Sequence, residues 1–346
     1  MLSKIQLSVI IPAYNPGKKI IPCLNALEKN LKFLSTQTDL TYEILLINDA
    51  GEKINLSFVK NIEKIKSLRL RKNKGVGYAR QLGFKISKYD YLFYLDSDVV
   101  MENEDTIKIL FDDFLSNKNC GSIGPVMKYN NLNDEFSSNF VAAKTCYGYE
   151  QNNSLIEFSG MRSECGLIEK KFLKLIGGWK FFPGAGGEEF ELGHRITKNN
   201  KKNLITKNTN YSTFYDELYT RCKTIIARTI TYLPIIISRK KFETKGAFAT
   251  LNQSLSAFIT ALQFLVIILS YFINGFIYLM IILFILNLLV EFDFFRFAMK
   301  FYKKITLPLY IFGIYAVNIS IIIGVLIGIY RLKFFLKGWF LIWKKK

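Results

Sequence analysis

The sequence is poor in the side chains that most often build metal and nucleophile sites. It has one histidine, His194, in 346 residues. Zinc sites built from several histidines are therefore excluded. Its five cysteines, at 23, 120, 146, 165 and 222, form no Cys-x-x-Cys pair. An odd, scattered set argues against a disulfide framework and fits a reducing compartment. No GxGxxG follows the first apolar run, and Lys74-Gly75-Val76-Gly77 lacks the GxxxxGK[ST] pattern. A glycine cradle for phosphate is thus missing. Acidic residues are few: 28 Asp and Glu face 47 Lys and Arg, for a net charge of +19. Hydrophobicity is not so low as to suggest disorder, because 50% of the residues are hydrophobic and 15% aromatic.

Charge of either sign is missing from residues 246–290, and the basic excess lies on both sides of that gap. Residues 198–245 carry 11 basic and 3 acidic side chains, and residues 291–346 carry 10 and 2. Nucleic-acid binding would use such charge, but it leaves the uncharged stretch unexplained. Basic blocks beside apolar stretches fit a lipid bilayer, so no nucleic-acid partner is expected.

The first two hundred residues alternate apolar runs with helical stretches. Leu7–Pro12 (LSVIIP) is too short for a signal-peptide core and is expected to be a buried strand. Further strands are expected at Tyr42–Asn48, Arg69–Lys72 and Tyr91–Leu95 (YLFYL), with helices near 18–34 and at Gly77–Ser87. Ile123–Lys128 and Ser154–Gly160 are additional strand candidates; Glu169–Ile176 and Glu188–Lys198 are helix candidates. This alternation predicts an α/β fold with a mostly parallel sheet flanked by helices. Ligands of such sheets bind at the carboxyl ends of the strands.

Residues 211–250 then mix aromatic and basic side chains, among them Tyr211, Phe214, Arg221, Lys223, Arg228 and Arg239. They are expected to form an amphipathic element on a membrane surface. Residues 251–346 are expected to be transmembrane, with hydrophobic segments near 255–273, 276–290 and 305–330 and a basic tail. Asn274-Gly275 is the natural turn between the first two. With three crossings the basic loop 291–304 lies inside and the tail outside; with two, the reverse holds. One basic segment breaks the positive-inside tendency either way, which leaves the number of crossings open.

Polar residues that end apolar runs are where chemistry is expected. Asp96-Ser97-Asp98 closes YLFYL, and Asp49 follows Tyr42–Asn48. Carboxylate oxygens are hard ligands suited to Mg²⁺ or Mn²⁺, and Mg²⁺ is usually held by one or two carboxylates together with substrate phosphates. A nucleoside diphosphate held through a metal is the reading these residues suggest.

Four segments in order, LSVIIPAYNPGKK, EILLINDAG, KNKGVGYARQLGFK and YLFYLDSDVV, together with LIEKKFLKLIGGWKFFPGAGGEEFELGHRI, resemble family 2 glycosyltransferases of the GT-A fold. The resemblance covers about residues 7–200 and is specific as a set. It implies that Pro12, Ala13 and Tyr14 line a nucleotide pocket, that Asp49 accepts a hydrogen bond from the base, and that Arg80 contacts the nucleotide or its phosphates. Asp96 would sit near the ribose and help hold the metal, with Asp98 as its main ligand. The family usually has an acidic residue followed by Asp where this chain has Glu188-Glu189. Glu189 is the first choice for the base that takes a proton from the acceptor, and Glu188 the second. Two alternatives stand: both are acids favoured at a helix N-terminus, and Arg80 could be an ordinary helix salt bridge. Trp179 is either an acceptor platform or a core residue. Arg195 either binds phosphate on the acceptor side or pairs with Glu191 at i,i+4. His194 is expected to be a satisfied histidine.

The implied protein is an inverting, metal-dependent hexosyltransferase anchored in a membrane, expected to be a bacterial inner membrane with the catalytic part cytoplasmic. Its partners would be a nucleoside diphosphate sugar, the bilayer and a lipid-linked or other membrane acceptor, either a polyprenyl phosphate or a glycolipid. A catalytically silent scaffold of the same fold is the alternative.

Overall fold

The computed structural model describes residues 4–56, 65–131, 136–149, 154–180, 187–239, 250–273, 275–300 and 307–344. The chain divides into two compact units. One is Met1–Leu132 with Gln151–Phe214, and the other is Asn133–Glu150 with Tyr215–Lys346.

Among the described residues, the first unit is built on a nine-stranded mixed sheet. Strands β1 (Lys4–Ala13), β2 (Asp39–Asn48), β3 (Ile65–Arg69) and β4 (Tyr91–Leu95) are parallel, in the order β3-β2-β1-β4. Helix α1 (Ile20–Gln37) connects β1 to β2, and α2 (Val76–Ile86) connects β3 to β4. The short β5 (Val99–Met101) and α3 (Thr106–Ser116) follow, then β6 (Cys120–Asn131). After β7 (Leu155–Phe158) come β8 (Cys165–Glu169), α5 (Lys170–Leu175), α6 (Glu188–Lys198) and β9 (Lys202–Thr213). β8 is antiparallel to β4 and to β6, while β9 runs parallel to β6 and antiparallel to β5 and β7.

The first strands read as unbroken apolar runs because both sheet faces are covered. On one face Leu7, Val9 and Ile11 pack against Ile20, Leu24 and Leu27 of α1 and Leu110 of α3. On the other, Ile10, Leu45 and Ile47 pack with Ala79 of α2 and with Leu192 and Ile196 of α6. The chain places β2 on one side of β1 and β4 on the other. The strand order therefore reverses at β1, and the carboxyl ends of β2, β1 and β4 lie side by side there.

Most expected elements are present, with differences that have a physical reason. The strand expected at Arg69–Lys72 runs instead over Ile65–Arg69. It is an exposed edge strand whose register is fixed by pairing with Ile44–Asn48, not by an apolar pattern of its own. β9 has no apolar run either; Thr206, Thr209 and Ser212 are buried in it through hydrogen bonds and sheet pairing. Tyr211, expected in the membrane-surface element, is a fully buried side chain of β9.

The second unit is helical. It contains α4 (Phe136–Tyr147), α7 (Leu218–Arg239), α8 (Leu251–Ser270), α9 (Phe276–Val290), α10 (Phe292–Ala298) and α11 (Leu307–Lys344). Two of these, Leu251–Ser270 and Pro308–Arg331 within α11, are long and apolar enough to cross a membrane. α9 and α10 pass the same test only as a pair, bent by 53° at their junction. α7 runs beside α11 in the same direction: Gly324 meets Ile226 and Thr229, and one turn on Gly328 meets Ile230 and Leu233. Small residues at a four-residue spacing let two backbones approach closely, as in apolar helix pairs. Among α8, α9 and α11 the buried polar groups satisfy one another. Ser256 donates to Asn287 at 2.8 Å, and Asn287 donates to Thr260 at 3.0 Å. Asn318 donates to both Ser256 and Thr260, at 2.8 and 2.9 Å. Lys144 of α4 is ion-paired to the buried Glu291 at the α9–α10 bend and lies 4.3 Å from the centroid of the Phe294 ring.

Candidate active site

The carboxyl ends of β1, β2 and β4 open into a cavity of about 650 Å³. Pro12, Ala13, Tyr14, Asp49, Asp96 and Asp98 line it, so six of the residues singled out in the sequence lie in one place. Ala13 and Asn48 are register partners, and the Asp49 N–H donates to the Ala13 carbonyl at 2.8 Å. Asp49 therefore enters the cavity directly beside the Pro12-Ala13-Tyr14 segment. Tyr14 is 56% exposed, so its ring is available to a flat ligand and is not part of the core.

The walls are set by main-chain geometry. Asp49 accepts the N–H of Lys74 through Oδ1 at 2.8 Å and that of Gly75 through Oδ2 at 2.7 Å. Gly75 has φ +88° at the start of α2, a conformation that favours glycine. Behind Asn15, which also lines the cavity, a Cβ on Gly51 would lie 2.6 Å from Asn15 Oδ1, so only glycine lets the β2 end approach the segment after β1.

Asp96, Ser97 and Asp98 form the turn from β4 into β5, where Thr213 Oγ1 donates to the Asp98 carbonyl at 3.2 Å. Burial pushes the Asp96 carboxyl upward; Arg80 opposes this, and the charges of Glu164 and Glu189 reinforce it. Among the described residues no group of three or more His, Cys, Asp or Glu side chains is placed to hold a metal ion. Two carboxylates on one turn still suit a hard divalent ion whose remaining ligands come from a phosphate-bearing substrate and water. The donor set therefore fits Mg²⁺ or Mn²⁺.

Arg80 differs from expectation. It is 4% exposed and is not among the residues lining the cavity. Its Nη2 donates to Asp96 Oδ1 at 2.8 Å and Oδ2 at 3.1 Å, while Nη1 donates to Glu188 Oε1 at 3.2 Å. Burial alone would lower its pKa, but the charges of Asp96, Glu188 and Glu189 reverse the shift and raise it. Arg80 is thus a fixed cation spent on two carboxylates, rather than a free contact for phosphate.

The acidic pair opens α6, after Gly187 at φ +145°. Glu188 is buried on Arg80, whereas Glu189 is half-buried and accepts the Gly187 N–H at 3.3 Å. Of the two, Glu189 is the more accessible. Trp179 is 4% exposed, packs edge-on against Tyr94 and lies 5.4 Å from the Arg80 guanidinium. It is a core tryptophan and offers no open platform. Arg195 donates to Glu191 at 2.7–3.0 Å and to the Ile176 carbonyl, the i,i+4 pairing rather than an open phosphate site. Sequence reasoning passed over Lys19 and Lys74, which also line the cavity, and Glu164, whose charge reaches Asp96. The two lysines stand inside the quoted motifs; nothing local marks Glu164.

Residues 8–175 match the model of Glycosyl transferase family 2. The chain carries a family 2 glycosyltransferase domain. It is 37% identical over 103 residues to the poly(ribitol-phosphate) beta-N-acetylglucosaminyltransferase TarP of Staphylococcus aureus, covering 27% of this chain and 28% of TarP. It is 30% identical over 114 residues to the dolichyl-phosphate beta-glucosyltransferase of Mus musculus, covering 30% of this chain and 34% of that protein. The matches thus span about a third of these relatives or less. The mannosyltransferase PcManGT from Pyrobaculum calidifontis, solved in complex with GDP-Man and Mn²⁺, aligns over 95% of this chain and 88% of its own. With a TM-score of 0.56 and 11% identity, it shares the GT-A fold.

Proposed function

We propose that this chain transfers a sugar from a nucleoside diphosphate sugar, with inversion, to a lipid-linked acceptor at a membrane. The observation that carries the reading is the shared cavity. Tyr14 and Asp49, which line it, would hold the base, and Asp96 and Asp98, which line it too, would face the ribose and diphosphate. Asp98 and Asp96 would hold a divalent ion, whose charge offsets that of the departing diphosphate. Glu189 would take the proton of the attacking hydroxyl as the acceptor oxygen bonds to the anomeric carbon and the bond to the diphosphate oxygen breaks. An acceptor that is already a phosphate needs no strong base.

The membrane part of the reading rests on α8 and α11, which are apolar enough to cross a bilayer. Names of relatives point the same way, since one is a dolichyl-phosphate glucosyltransferase. A polyprenyl phosphate and a membrane glycolipid are both acceptors of this class. The test is a donor screen on membranes containing the protein, followed by mass spectrometry of the extracted lipids. Mass added to a lipid from one nucleotide sugar supports the reading; transfer to soluble acceptors alone overturns its lipid part. Equal donor turnover by wild type and Asp98→Ala would leave only a binding role for the fold.

A further inference from the structure

The segment Met161–Glu164 is strung between the two acidic sites. At one end the Met161 N–H donates to the Glu189 carbonyl at 3.0 Å; at the other the Asp96 N–H donates to the Glu164 carbonyl at 2.8 Å. Glu164 is not among the residues lining the cavity, but its charge reaches Asp96, and a ligand group held between Asp96 and a base at Glu189 would pass beside this segment. In the glycosyltransferase reading, that is the transferred sugar.

Glu164 is the acidic side chain on this segment, and it is held in place. Its Oε1 is ion-paired with Arg162 Nη2 at 2.8 Å and accepts the Tyr211 hydroxyl at 2.9 Å. Both partners are buried, and Arg162 also donates to the Tyr211 hydroxyl. The Arg162 guanidinium is set between the Tyr211 and Phe158 rings, 5.6 and 5.9 Å from their centroids. Two buried groups thus fix one carboxylate oxygen. The other, Oε2, accepts no hydrogen bond among the described residues, and the side chain is 24% exposed. A carboxylate oxygen that is pre-oriented and unpaired is suited to a ligand hydroxyl, because its rotamer is already paid for by its neighbours. It is not placed as a third metal ligand, since no three-residue cluster exists among the described residues.

We propose that Glu164 is a sugar-specificity residue, whose Oε2 accepts a hydrogen bond from a hydroxyl of the sugar being transferred. The inference rests on the glycosyltransferase reading and adds to it the group that distinguishes one sugar from another.

The test compares wild type with Glu164→Gln, which keeps the length and an oxygen for Tyr211 and Arg162. Binding of UDP and GDP with Mn²⁺ is measured by calorimetry. Transfer is measured with the preferred nucleotide sugar and with its monodeoxy analogues. The expected result is nucleoside diphosphate affinity within about twofold of wild type and kcat/KM lowered by about 10–100-fold on the preferred sugar, as for loss of a hydrogen bond to a charged group. The loss should vanish on the one analogue that lacks the recognised hydroxyl. Wild-type kcat/KM in the variant, an equal loss on every analogue, or a parallel loss of UDP or GDP affinity would each overturn the proposal. Glu164→Asp, one methylene shorter, provides the same comparison if the glutamine variant does not fold. Failure of the broader reading shows differently: wild-type protein that binds neither UDP nor GDP overturns both.

Discussion

Arg80 ties Asp96 to Glu188. One guanidinium serves a carboxylate on the β4–β5 turn and another on the first turn of α6, at 2.8 and 3.2 Å. The chain brings together here residues 16 and 108 positions apart. Removing the cation leaves Glu188 buried without this partner and Asp96 without its pair. Arg80→Met should cost about 3 kcal/mol of stability, at the low end for breaking a buried pair because Asp96 is 27% exposed. Adding Glu188→Gln should recover part of the loss, since it removes the stranded charge. Thermal unfolding of the single and double variants decides this, and purely additive losses would contradict the tie.

The metal site should depend on the nucleotide. Asp96 and Asp98 are the carboxylates at the turn, and Arg80 already neutralises Asp96 in part. Mn²⁺ alone should therefore bind weakly and bind at least about tenfold more tightly with a nucleoside diphosphate present, because the phosphates complete its coordination. Asp98→Asn should remove that enhancement while leaving metal-free nucleoside affinity unchanged. Calorimetric titration of Mn²⁺ with and without UDP or GDP tests both points. Equal Mn²⁺ affinity in the two titrations would contradict the two-carboxylate site.

The acidic pair should separate by role. Glu188 is buried on Arg80, whereas Glu189 is half-buried and free to face a substrate. Glu189→Gln should lower kcat by about 10²–10⁴ on a hydroxyl acceptor, the usual size of a general-base contribution. On a phosphate acceptor it should change kcat little, because that nucleophile arrives deprotonated. Single-turnover rates with both acceptor classes give the answer and reveal the acceptor chemistry at the same time. A Glu188→Gln variant that loses more kcat than Glu189→Gln, with its fold intact, would reverse the assignment.

How much of this was legible in the sequence follows from what holds each part in place. β1, β2 and β4 carry their signal locally, as apolar runs ended by polar residues, so the cavity-lining Asp49, Asp96 and Asp98 could be located from the chain alone. Arg80 could be found but not understood. Its motif marks importance, yet only the fold shows that Glu188 stands opposite it. Trp179 and Arg195 were ambiguous for the same reason: a tryptophan after two glycines and an arginine one turn after a glutamate read alike as binding groups or packing groups until burial is known. β9 and Glu164 left no local trace. The strand is held by partners β6 and β5 and buries threonines, and the glutamate is oriented by Arg162 and by Tyr211, 47 positions away.

The two glycines of α11 should respond unequally to alanine. At Gly324 a new Cβ would sit 2.7 Å from Thr229 Cβ and 3.1 Å from the Ile226 carbonyl oxygen. Neither atom can move without its backbone, so α7 must shift. At Gly328 the near atom is Leu233 Cδ2 at 2.9 Å, the far end of a flexible side chain, and the next is at 3.6 Å. Gly324→Ala should therefore cost about 1–3 kcal/mol, the range for overpacking a close contact. Gly328→Ala should be near neutral, because relief of the glycine's helix penalty of about 0.5–1 kcal/mol offsets a small rotamer change. Thermal unfolding of the full chain in detergent measures both. Equal losses at the two positions would show that α7 and α11 do not meet along this seam.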